Sequence, residues 1–102
     1  MALLNIETAL KRALHLLEMA SVPEGVEILS YKRNRGVTIL KERNDAFQIR
    51  ERGYKDQEFT SSYSDLPKRL KSILKREFPR SRKLRLYRLA GPEDMNLPRK
   101  QL

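Results

Sequence analysis

The chain has no cysteine and no tryptophan, one histidine, and four glycines that stand apart from one another at positions 25, 36, 53 and 91. Without cysteine there is no disulfide, no thiolate zinc site and no Cys nucleophile, a composition that suits a reducing compartment. His15 alone does not make a transition-metal site, and isolated glycines build neither a P-loop nor a dinucleotide-binding loop. The longest apolar stretches run three or four residues, far below the roughly 20 that a membrane-spanning helix needs. Glu7, Lys11 and Arg12 interrupt the N-terminal apolar residues before a secretory core can form. The carboxylate pairs that remain, Asp56 with Glu58 and Glu42 with Asp45, stand among turn residues beside Lys and Arg and read as charge balance. The sequence therefore predicts a cytoplasmic protein that is not an enzyme, holds no metal or cofactor and enters no membrane.

What is present in excess is positive charge. The net formal charge is +9 over 102 residues, and the charged share of 34% exceeds the usual value of about 25%, so folding depends on well-placed apolar residues. Their placement is periodic. Ile6, Ala9, Leu10, Ala13, Leu14, Leu17 and Ala20 recur at helical spacing, with Asn5 as N-cap and Glu7 in the first turn, which predicts a helix over 5–20. Pro23 and Gly25 end it. From there the period is two, and strands are expected at Val26–Lys32, Val37–Arg43, Ala46–Arg52 and Glu58–Tyr63, joined by short turns rich in Gly, Asn and Asp. Ser64 or Asp65 caps a second helix, with Pro67 in its first turn and Leu66, Leu70, Ile73, Leu74 and Phe78 as its stripe; Pro79 closes it. Lys83–Leu89 alternates as a fifth strand.

The order α-β-β-β-β-α-β predicts an α+β two-layer sandwich, an antiparallel sheet of four to five strands with both helices on one face. Residues 1–90 form the single domain and 91–102 are expected to be a flexible tail. In layout, the order of helix, three strands and helix is similar to that of double-stranded-RNA-binding domains, whose second helix also begins with basic residues. The extra strand before the helix, another after it, and the run Leu66-Pro67-Lys68-Arg69-Leu70 depart from that pattern, so no function is carried over.

The charge is unevenly spread. Residues 64–90 hold ten basic side chains against Asp65 and Glu77, six of them arginine, while residues 1–31 are net negative. On the second helix, Lys68, Arg69, Lys71, Lys75 and Arg76 surround the apolar stripe, and Lys71 repels both Lys68 and Lys75. Arg80, Arg82, Lys83, Arg85 and Arg88 extend the positive run. A phosphate backbone relieves that repulsion and releases counterions; excess lysine as a solubility device is the plainer explanation. Arg33 and Arg35 in the turn Lys32-Arg33-Asn34-Arg35-Gly36 are further candidates for phosphate contact, although a turn is polar on conformational grounds alone. Tyr31, Tyr54, Tyr63 and Tyr87 are better placed as partly buried edge residues than as a stacking platform, and Phe47, Phe59 and Phe78 follow the core period. The expected function is a basic module that docks its second helix and following strand on nucleic acid, RNA before DNA because no major-groove reading helix stands out. The competing reading is a protein-interaction or homo-oligomerisation module that uses Leu3, Leu4, Leu16 and Met19 on the first helix.

Overall fold

Asn5 begins the first helix as its chemistry requires: its Oδ1 accepts the Thr8 N–H at 2.8 Å, and α1 runs Ile6–Met19. In this computed structural model, which describes residues 4–30, 35–53, 56–78 and 83–91, the remaining elements are β1 (Gly25–Leu29), β2 (Gly36–Arg43), β3 (Ala46–Arg52), β4 (Gln57–Ser61), α2 (Leu66–Glu77) and β5 (Arg85–Leu89). The sheet order is β4-β3-β2-β1-β5, and every neighbouring pair is antiparallel. Four strands meander to one edge; α2 then carries the chain back so that β5 pairs with β1 at the other. The expected α+β sandwich is the observed fold.

Strand alternation sorts the sheet into two surfaces. Val26, Ile28, Val37, Ile39, Phe47, Ile49, Leu84 and Leu86 pack in one cluster with Ala9, Ala13 and Leu17 of α1 and Leu66, Leu70, Ile73 and Leu74 of α2. Both helices therefore lie on this face. On the opposite face, register aligns Glu58, Arg50, Thr38, Glu27 and Tyr87 in one row across all five strands. Arg50 binds Glu58 at 2.8 Å, and the buried Glu27 accepts from Thr38 at 3.4 Å and from Arg52 at 3.2 Å.

Element ends differ from the periodicity where a polar group captures the backbone. The first strand stops at Leu29 rather than Lys32, since Ser30 N–H donates to the Arg35 carbonyl at 3.0 Å and closes the hairpin; residues 31–34 lie outside the described residues. The fourth stops at Ser61, because Tyr63 N–H turns to Asp45 Oδ1 at 2.8 Å. Tyr63 instead sets its ring against Phe47, with centroids 5.8 Å apart. Asp65 takes the N-cap position of α2 without a side-chain bond; its carbonyl accepts from Arg69 N–H at 3.1 Å. Leu84 pairs with Leu4 through reciprocal backbone bonds of 3.0 and 2.7 Å, so the outer edge of β5 gains a short partner at its start. Of the expected tail, residues 92–102 lie outside the described residues. No described helix is long and apolar enough to cross a membrane.

Candidate nucleic-acid interface

The helical repeat divides the five cations of α2 into two groups. Leu66, Leu70, Ile73, Leu74 and Glu77 are buried, and Lys68, Lys71 and Lys75 project from the opposite side as an exposed ridge. At 1.5 Å per residue the ridge covers about 10 Å of helix axis. Among the described residues no carboxylate lies within ion-pair distance of these three lysines. Beside them, where α2 meets α1, runs a groove of 540 Å³ lined by Ile6, Glu7, Leu10, Lys71 and Lys75.

Both arginines of α2 are turned towards the sheet. Arg69 lies over the Phe59 ring, 5.3 Å from its centroid, in a cation–π contact. Arg76 makes a two-pronged pair with Glu51 of β3, Nη2 to Oε1 at 2.6 Å and Nε to Oε2 at 3.0 Å. Glu51 is 0% exposed, and Gln57 Nε2 donates a further bond to it at 2.7 Å. Glu77, also buried, joins this cluster from the helix end. There Arg35 Nη1 donates to the Glu77 carbonyl at 3.3 Å, a cation set against the negative end of the helix dipole. Gly53 closes the cluster: its φ of +150° suits glycine, and a Cβ there would stand 2.9 Å from Arg35 Cγ and 2.5 Å from Glu77 Oε1.

Burial pushes the Glu51 carboxyl up, but hydrogen bonds from Arg76, Glu77 and Gln57 and the Arg76 charge outweigh it and hold the carboxyl down at about 2 rather than 4.5. The same hydrogen bond raises Arg76. The unfolded chain therefore binds more protons at Glu51 than the folded chain between these limits. Stability from this group is full above pH 4.5 and is lost as pH falls towards 2. Glu51→Gln is expected to flatten the pH dependence of unfolding in that window, followed by denaturant titration at each pH; an unchanged slope would put the acid sensitivity elsewhere.

The other candidates are dispersed. Lys83 and Arg88 are exposed, whereas Arg85 is buried and, being out of phase with Leu84 and Leu86, lies on the sheet face away from α2. Arg35 is exposed at the C-terminal end of α2; Arg33, Arg80 and Arg82 lie outside the described residues. Tyr87 is buried on β5 and Tyr63 packs on the core, while Tyr31 and Tyr54 are also outside the described residues. The buried acids Glu27, Glu51 and Glu77 carry no role in the sequence reading. The signal for two of them was present, since Glu51 continues the Phe47–Ile49 alternation and Glu77 continues the Leu70–Ile73–Leu74 stripe. The described residues contain no group of three or more metal-ligating side chains. Set against known protein families, curated proteins and solved structures, the chain matches none.

Proposed function

We propose that the protein is a small cytoplasmic binding module, not an enzyme, that rests the lysine ridge of α2 on the phosphate backbone of a nucleic acid, RNA in preference to DNA. One observation carries this reading: Lys68, Lys71 and Lys75 stand exposed, with no carboxylate partner among the described residues, on one side of a helix whose other cations are engaged. Their mutual repulsion costs helix stability and is relieved when phosphates replace their counterions. RNA is favoured because the ridge offers no Asn, Gln or Arg at base-contact spacing for a DNA major groove. The interaction-module reading has less surface at its disposal. Leu4 belongs to the core, Leu16 packs against it and Leu3 lies outside the described residues, which leaves Met19, 71% exposed, and Val22 as the exposed large apolar side chains among the described residues.

The combined change Lys68→Gln, Lys71→Gln and Lys75→Gln is expected to weaken RNA binding by at least about tenfold at low salt and to reduce the slope of log K against log salt by about 2 to 3. Polarisation titrations over a salt series measure both. A variant with the parent affinity and slope would remove this surface from the function.

A further inference from the structure

We infer that the α2 ridge recognises its ligand as a ladder of phosphates and reads no bases, so that any linear phosphate polymer spanning the ridge is a ligand; this rests on the nucleic-acid reading above. Strong base discrimination by a helix draws mainly on side chains that fork or stack. Guanidinium groups and amides make paired hydrogen bonds to base edges, and aromatic rings stack on base faces. Among the described residues, the fold engages both kinds of group elsewhere. Arg76 is held by the fully buried Glu51 and cannot leave without stranding that carboxylate; Arg69 is exposed, but its guanidinium lies over the Phe59 ring, to the side of the ridge. That contact also occupies one face of the Phe59 ring, Phe47 packs at a tilt against Tyr63, and Phe78 and Tyr87 are buried.

What projects is Lys68, Lys71 and Lys75, beside Ser72, which is exposed as well. An ammonium can reach guanine O6 or N7, but it is a compact charge with rotatable donors and no rigid plane, so it meets a phosphate as readily as a base edge. Three of them over about 10 Å of axis meet roughly three successive phosphates at about 3.4 Å of rise per nucleotide. The neighbouring groove does not restore selectivity for bases. Its apolar residues, Ile6 and Leu10, lie with the carboxylate of Glu7, which opposes entry of a polyanion, so the ligand stays on the ridge.

The test uses the full chain and three probes: two labelled RNA oligonucleotides of equal length and unrelated, unstructured sequence, and long-chain inorganic polyphosphate as a competitor with phosphates and no bases. Both RNAs should bind within about threefold of each other, since one base-reading contact alone separates sequences by roughly fivefold or more. Polyphosphate should displace either RNA, and the triple Lys→Gln variant should lose affinity for all three in parallel. A preference of about fivefold or more between the RNAs, or RNA that stays bound against excess polyphosphate, overturns the inference while leaving nucleic-acid binding intact. If neither RNA binds even at low salt, the proposed function and this inference fall together.

Discussion

Truncating Arg76 to alanine should lower the unfolding free energy by about 3–5 kcal/mol, because it leaves the Glu51 carboxylate buried without its cation. Truncating Lys75, the preceding residue, should change stability by no more than about 0.5 kcal/mol. The two side chains differ by one step of the helix and by which way that step points them: Arg76 is 27% exposed and bonded through two nitrogens, whereas Lys75 is exposed on the ridge. Urea unfolding at neutral pH reads the contrast, and RNA binding at a temperature where both variants are folded should reverse it, with Lys75→Ala the weaker binder. For a domain whose total stability is about 5–15 kcal/mol, the Arg76 loss is a large fraction. Equal stabilities for the two variants would show that Glu51 does not depend on this partner.

The second large effect is expected in the sheet. Gly25 sits between Leu40 of β2 and Leu89 of β5, and a Cβ at this position would run into the Ile39 carbonyl oxygen and stand 2.9 Å from Leu40 Cα. Both obstacles are backbone atoms, so no rotamer change makes room. Gly25→Ala should therefore cost about 3 kcal/mol or more, above the usual range for overpacking, since β1 must separate from β2 to accept one methyl group. Denaturant unfolding measures it. A loss below about 1 kcal/mol, no more than an ordinary substitution, would mean that the strand pair yields more easily than its register implies.

Local chemistry made most elements legible. Asn5 caps α1, Pro67 marks the first turn of α2, and the period of two gives the three hairpin pairs from β1 to β4. Alternation overextends the fourth strand because Tyr63 keeps step with Phe59 and Ser61, while the group that turns its N–H away, Asp45, lies in a different turn. The place of β5 was not legible at all, since pairing with β1 follows from where α2 deposits the chain and not from any local pattern. The candidate site divides in the same way. Counting charges finds a basic helix, and helical phase alone predicts that Lys68, Lys71 and Lys75 share a side. That Arg76 meets an acid depends on the approach of α2 to β3, elements separated in sequence by β4, and residue type argues against burying Glu51 even though its alternation places it inward.

The pairing of β1 with β5 also sets an order on how the molecule comes together. The meander from β1 to β4 closes through turns of a few residues, but β1 meets its second neighbour only once residues 85–89 have been made, with Leu4 fastened to Leu84 beside it. The entropy of that long closure falls on the final step, so during synthesis β1 waits as a bare, sticky rim. A chain released before residue 85 would expose it to every other copy in the cell.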